Sequence, residues 1–272
     1  MRRLINQRPD VLSKLLLAAL PFFLVFLAYA LASQARLALN PDDKLLPGWT
    51  TLMEAINRVT FVPDLREGDY LLLLDTTVSM ERLGTGVGIA MAIGFIVGVL
   101  QGLIPYIRAT LTNFTNVVSM IPALAILPIL FITFGLGETA KIVLIVVGIV
   151  PFIIRDLAQR VEELPHEQII KAQTLGASTW QIAMRIVVPQ MLPRLIDSVR
   201  MSLGPAWLYL IAAEAIAAES GLGYRIFLMR RYLSMDVILP YVAWITFLAF
   251  SLDFLLRALR RVAFRWMYRG HM

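Results

Sequence analysis

The stretch HEQIIKAQTLGASTWQIAMRIVVPQMLP, residues 166–193, is mostly polar and helix-like inside a chain that is otherwise overwhelmingly apolar. Written as one helix, it gathers Ile169, Ala172, Leu175, Gly176, Trp180, Ile182, Ala183 and Ile186 on one side. Glu167, Lys171, Thr174, Ser178, Gln181 and Arg185 gather on the other, which makes the stretch amphipathic. Gly176 suits a helix C-terminal cap, and Ser178 followed three residues later by Gln181 has the form of a capping box. The spacing therefore predicts two short helices meeting in an elbow. Two uses fit such a stripe: lying on lipid headgroups, or inserting spaced apolar anchors into a groove on a soluble partner. Periodicity leaves both open.

The surroundings identify the solvent. The 272 residues are 58% hydrophobic and 16% charged, with mean hydropathy +0.73, outside the balance of a soluble domain. Six apolar runs approach the length needed to cross a bilayer as helix: 15–37, 83–103, 109–134, 140–154, 192–218 and 237–256, the fourth being short. Gly and Pro within them do not exclude helix, because neighbouring helices re-satisfy the backbone groups they free. Pro21, Pro122 and Pro128 are expected to bend their helices, and Gly135 to help shape the third span. Arg2, Arg3, Arg8 and Lys14 ahead of the first run, with Ala30-Leu31-Ala32 near its end, give it features of a cleavable signal peptide. The run is too long for a typical signal and further spans follow, so a retained first helix is expected. The fold class predicted is all-α and polytopic.

The net charge is +6 and the pI near 9.8, yet the Arg and Lys residues lie between apolar runs, without exposed aromatics interleaved. That distribution fits a membrane and excludes a nucleic-acid partner. With both termini cytoplasmic, Arg257, Arg260, Arg261, Arg265 and Arg269 fall inside, as do Arg155, Arg160, Lys171, Arg185 and Arg194 of the middle loop. The segment between the first two spans, with Asp42, Asp43, Glu54, Asp64, Glu67, Asp69 and Asp75 against Lys44, Arg58 and Arg66, falls outside. Arg225, Arg230 and Arg231 also fall outside, an exception to the bias.

Catalytic chemistry is not indicated. There are no cysteines, His166 and His271 are peripheral, and no metal-ligand spacing occurs. The phosphate-loop pattern is absent, as is any nucleophile triad or carboxylate pair, so neither an ATPase by that route nor another enzyme is expected. Gly84 with Gly88, and Gly94, Gly98 and Gly102, follow the four-residue spacing that lets membrane helices approach closely.

Ionisable residues within spans are costly and are functional candidates: Asp197, Arg200, Glu214 and Asp253. Asp197 with Arg200, and Asp253 with Arg257, have the spacing of helical ion pairs. Glu214 has no local partner and precedes AIAAESGLGY (215–224), where Gly221 and Gly223 would break the helix near the outer surface. It would line a pathway or hold an outer gate. Trp207 and Tyr209 would contact solute or pack as interior aromatics.

The elbow resembles the cytoplasmic signature of binding-protein-dependent ABC importer permeases, with Ala172, Gly176, Ile186 and Pro189 at its alanine, glycine, isoleucine and proline positions. Ile170, Lys171 and Val188 stand where that signature has glutamate, alanine and leucine; Glu167 lies one turn before the missing glutamate. LDTTVSMERLGTGVGIAMAIGFIVGVLQGL (74–103), IPALAILPILFITFGLGETAKI (121–142) and GPAWLYLIAAEAIAAESGLGYRI (204–226) resemble blocks of the nitrate/sulfonate/taurine-like branch.

The resemblance implies one permease domain, 1–272, with a coupling region at about 156–190. Glu167, Ala172, Leu175, Gly176, Trp180, Ile186 and Pro189 would couple to ATPase subunits. Glu214, Trp207, Gly221 and Gly223 would stand at the pathway or gate. It further implies an inner-membrane location, a second permease copy forming a homodimer, and an extracytoplasmic substrate-binding protein. ATP and Mg would be bound by the partner ATPase, with no cofactor in this chain. The solute would be nitrate, a sulfonate or taurine; residues 221–250 also resemble permeases for urea- or guanidine-like compounds. The alternative, an ion-coupled carrier, calls for inverted repeats, and none is read in the sequence.

Overall fold

A computed structural model describes residues 10–40, 43–63 and 68–266. The charges assigned above to Arg2, Arg3, Arg8, Asp42, Asp64, Arg66, Glu67 and Arg269, and His271, lie outside the described residues. Among the described residues every regular element is helical.

Four helices are long and apolar enough to cross a membrane, and two bent pairs raise the number to six. The four are α1 (Val11–Leu39), α3 (Leu71–Leu103), α6 (Glu138–Glu162) and α11 (Met235–Ala263). In the first pair, α4 (Pro105–Met120) meets a 3-10 turn (Ala123–Ile126) and α5 (Leu127–Phe134) at 81°. The break falls at Pro122, Pro128 sits in the first turn of α5, and Gly135 ends that helix at φ 77°. α1, by contrast, runs unbroken through Pro21. In the second pair, α9 (Val188–Ala217) meets α10 (Leu222–Arg230) at a 55° bend. The elbow supplies α7 (His166–Thr174) and α8 (Thr179–Ile182), and α2 (Trp49–Phe61) is an unforeseen amphipathic helix packed on α11.

Two sequence boundaries need correction. The second span begins at Leu71 and not near residue 83, so Asp75, assigned above to an outer loop, lies inside α3 with no exposed surface. The fourth span reaches Glu162, because its polar last turns continue the same helix.

The centre of the fold is a parallel pair, α3 and α6. A Cβ on Gly86 would stand 2.9 Å from Ile145, on Gly94 2.5 Å from Ile153, and on Gly102 2.5 Å from Val161. These partners advance in step, which requires the helices to run the same way with backbones in close approach. The small-residue stripe is thus Gly86, Ala90, Gly94, Gly98 and Gly102, all buried. Gly84 and Gly88, assigned to it from sequence, have nothing within 4 Å of their would-be Cβ atoms. Helix α9 packs on α6 and α3, with Leu195, Val199, Ala206, Trp207 and Leu210 in the shared core.

Helix α1 is joined to this body through its C-terminal half. Tyr29 Oη donates to Pro47 O at 2.7 Å, Ser33 Oγ to Leu46 O at 3.0 Å, and Phe26 stacks on Trp49 at 4.7 Å. Ser33 is its one buried residue. A surface so apolar is stable in lipid and would be costly in water.

Candidate functional site

The elbow stands at the end of the bundle where α6 finishes and α9 begins. Its corner is closed by backbone hydrogen bonds: Ala177 N–H donates to Ala172 O at 3.0 Å and Gly176 N–H to Gln173 O at 2.9 Å. This is the Schellman arrangement, and it requires the left-handed φ of 80° found at Gly176. Immediately after it the predicted capping box forms, Gln181 N–H to Ser178 Oγ at 3.3 Å and Ser178 N–H to Gln181 Oε1 at 2.9 Å. Two caps back to back leave the corner little freedom.

The apolar stripe divides at this corner. Ile169, Ala172, Ile182 and Ile186 turn inward against Val99, Leu103, Val161 and Leu164, fixing the elbow to the ends of α3 and α6. Leu175 and Trp180 point away and are 88% and 72% exposed. Written as one helix, the stretch set them on the same side as the residues that turn inward; the turn at Gly176 aims them elsewhere. Glu167 is exposed and Pro189 half-buried in the first turn of α9. Between α8 and α9 lies a π-helical segment, Ala183–Val187, an irregularity often found at functional sites.

At the opposite end of α9 a second constellation forms. Asp75, Ser79 and Arg82 follow one another along one face of α3, and all three are buried. Ser79 Oγ donates to Glu214 at 2.8 Å, Arg82 Nη1 donates to Glu214 Oε1 at 2.8 Å, and Gly223 N–H donates to Glu214 Oε2 at 2.8 Å. Arg82 also donates to Ser220 O at 2.8 Å and to Glu138 Oε1 at 2.7 Å, and Lys141 donates to the same carboxylate at 2.9 Å.

One helical turn nearer the start of α3, Asp75 accepts from Gly221 N–H at 2.9 Å, Arg225 Nε at 2.8 Å and Tyr241 Oη at 3.0 Å. Leu222 N–H closes onto Ser79 Oγ at 2.8 Å. Three acids thus face three bases, Asp75, Glu138 and Glu214 against Arg82, Lys141 and Arg225. Such neutrality is what allows charges to remain at membrane depth.

Several of the sequence candidates lie in or beside this network. Glu214 has no exposed surface and both its oxygens are occupied, which ties it to the loop between α9 and α10. Gly221, at φ 126°, passes so close that its Cβ would stand 2.6 Å from the Glu214 carboxylate. Gly223 passes 2.7 Å from Ile211 O by the same measure. Trp207 is buried in the core beside Leu210. Asp197, Arg200 and Asp253 form an ion network between α9 and α11 near the elbow end. Arg200 lies 3.3 Å from Asp197 and 2.7 Å from Asp253, and Arg257 and Arg260 also take part.

Sequence reasoning missed Asp75, Ser79, Arg82, Glu138, Lys141, Arg225 and Tyr241. One signal was present: polar residues at 75, 79 and 82 share one helix face once α3 is begun at Leu71.

Comparison with known proteins agrees with this architecture. Residues 84–267 match the family described as binding-protein-dependent transport system inner membrane component. The taurine transport system permease protein TauC of Escherichia coli is 32% identical over 253 residues, 88% of this chain and 92% of that protein. The bicarbonate transport system permease protein CmpB of Synechococcus elongatus is 31% identical over 204 residues, 72% of this chain and 73% of its own. Among solved structures, an inward-facing form of the MetNI methionine ABC transporter superposes with TM-score 0.63 at 24% identity. That match covers 71% of this chain and 96% of that one, and it is a likeness of fold.

Proposed function

The chain belongs to the binding-protein-dependent transport system inner membrane components, and from that membership we propose how its two constellations divide the labour of an ABC importer permease. The elbow docks an ATP-hydrolysing subunit, with Leu175 and Trp180 as its anchors. The polar latch around Glu214 holds the far-side gate. The elbow therefore faces the cytoplasm, both termini lie on that side, and the latch lies outside. A second copy of the chain completes the pathway, ATP and Mg are held by the ATPase subunits, and an extracytoplasmic binding protein delivers the solute.

The observation that carries this reading is the exposed pair Leu175 and Trp180, held on a doubly capped corner whose other apolar residues are buried. A helix lying on lipid would turn its whole apolar face one way. A rigid corner with two protruding anchors suits a groove on a protein. Relatives named for taurine, sulfonate and bicarbonate transport support a small solute bearing an oxoacid group, with choice of solute left mainly to the binding protein. The matched family is binding-protein-dependent, which sets the ion-coupled alternative aside.

The test is purification from native membranes in mild detergent, comparing wild type with Leu175→Asp/Trp180→Asp. Neither side chain supports the fold, so the variant should be produced normally. An ATPase retained by the wild type and lost from the variant is expected. Equal retention by both would overturn the docking role of the corner.

A further inference from the structure

Most arginines of the spanning helices lie against carboxylates: Arg82 on Glu138 and Glu214, Arg160 on Asp156, Arg200 on Asp197 and Asp253, Arg257 on Asp253. Arg155, on α6, does not. It is exposed, and its one hydrogen-bond partner among the described residues is a neutral hydroxyl, Ser119 Oγ, which accepts from Nη1 at 2.7 Å. Ser119 in turn donates to Asn116 O at 2.8 Å. The rest of the guanidinium fork stays open.

This contact lies well inside the bundle. Arg108, in the first turn of α4, meets Glu162 at the end of α6 at 3.0 Å, which marks the elbow end. Ser119 lies about 16 Å further along α4 at the helical rise. Side chains lean towards the N-terminus of their own helix, which for α6 is the latch end. Arg155 therefore reaches into the bilayer and not back to the nearer surface, where a charged group at a helix end ordinarily goes. Ser119 also stands beside the 81° break between α4 and α5, where Met120 and Ile121 are 77% and 49% exposed. Irregular backbone at membrane depth persists where protein covers it or where it lines a water-filled cavity. Asn113 and Asn116, on the preceding turns of α4, leave their side-chain amides without protein partners among the described residues. Open amides and an open cation at this depth suit a polar path and not lipid.

We propose that Arg155, with Ser119 and Asn116 beside it, is a resting point for the oxoacid group of the solute as it crosses. The proposal rests on the importer reading above and names a residue that would select for negative charge within the permease itself. A planar fork of N–H donors fits the paired oxygens of such a group. A hydroxyl holds the fork in place when the solute is absent, and an anion displaces it without breaking an ion pair. Binding of that kind is weak enough to release, as a conducting site requires. Arg82, locked between two carboxylates, could not serve in this way.

The experiment uses the permease purified in complex with its ATPase. The chain has no cysteine, so Ser119→Cys gives the permease a single thiol, followed on that chain by intact mass. Two reagents of similar size are compared: sulfonatoethyl methanethiosulfonate, itself a small sulfonate, and the uncharged hydroxyethyl compound, each normalised to its rate with free mercaptoethanol. With Arg155 present the sulfonate should be favoured on the order of tenfold. Any lowering of the thiol pKa by Arg155 speeds both reagents alike and leaves the ratio unchanged. The preference should vanish in S119C/R155Q and largely persist in S119C/R155K. Methanesulfonate should slow the uncharged reagent, while chloride at equal ionic strength should not. A thiol that neither reagent reaches, a ratio indifferent to R155Q, or equal slowing by chloride would overturn the proposal. A wild type that retains no ATPase would instead sink the importer reading, and the reagent ratios, which need no ATPase, would still report on Arg155.

Discussion

Replacing Arg82 by alanine should destabilise the chain far more than an ordinary ion-pair loss, and the structure says why. Arg82 and Glu214 meet at 2.8 Å with side chains 5% and 0% exposed. Without the guanidinium, the Glu214 carboxylate keeps only the Ser79 hydroxyl and the Gly223 N–H, and water cannot take the vacated place cheaply at that depth. Breaking a buried pair from one side costs about 3–5 kcal/mol, chiefly as the penalty of the stranded charge. Loss of the bond to Ser220 O adds about 1 kcal/mol. Glu138 adds little, since its side chain is 58% exposed and retains Lys141. Neutralising the stranded partner as well, in Arg82→Ala/Glu214→Gln, should return a substantial part of the loss, a coupling of about 2 kcal/mol. Reversible unfolding in mixed detergent micelles, run as a double-mutant cycle, measures this. Additivity within about 0.5 kcal/mol would refute the claim that the two charges hold each other.

Two further outcomes follow from packing and from charge. Gly94→Leu should cost about 1–3 kcal/mol or more by prising α3 from α6, whereas Gly88→Leu, with open space around it, should leave the thermal stability of the solubilised chain unchanged. Arg200→Ala should cost only about 1 kcal/mol, because Asp253 keeps Arg257 and Asp197 keeps Arg260; a melting-temperature loss matching that of Arg82→Ala would contradict it.

The elbow was legible in sequence because its signals are local. Gly176, Ser178 and Gln181 act within one turn of themselves, and hydrophobic periodicity needs no tertiary partner. The aim of Leu175 and Trp180 was not legible, since a helical wheel assumes one continuous axis and the corner at Gly176 interrupts it. The spans were found by length and apolarity, the properties lipid demands, but a span searched for by apolarity stops at its first charges. That is why α3 was begun near residue 83 and Asp75 and Arg82 were left outside it. The latch bonds from α3 to Glu214 and the residues beyond it join positions 132 to 166 apart, and the pairing exists only once α3, α6, α9, α10 and α11 are assembled. Glu214 could be singled out as costly; its partner could not be named.

The two constellations share one element. Helix α9 has 30 residues, about 45 Å at the helical rise, with Pro189 in its first turn and Glu214 in its last. A tilt imposed at the elbow must therefore either move Glu214 or be absorbed along the way. Between Leu195 and Leu210 the buried Leu195, Val199, Leu203, Ala206 and Leu210 transmit displacement through close packing, while Pro205, which removes one bond of the helical ladder, is where the rod can bend. The π-helical segment Ala183–Val187 precedes that packed region and lies between elbow and rod. On the proposed reading, an ATPase pulling on Leu175 and Trp180 tilts α9 about α6. The tilt strains the bonds from Glu214 to Arg82 and Gly223, while Asp75 continues to hold the start of α10. Opening then requires α10 to move as well, because tilting α9 alone leaves Asp75 holding Gly221 and Arg225.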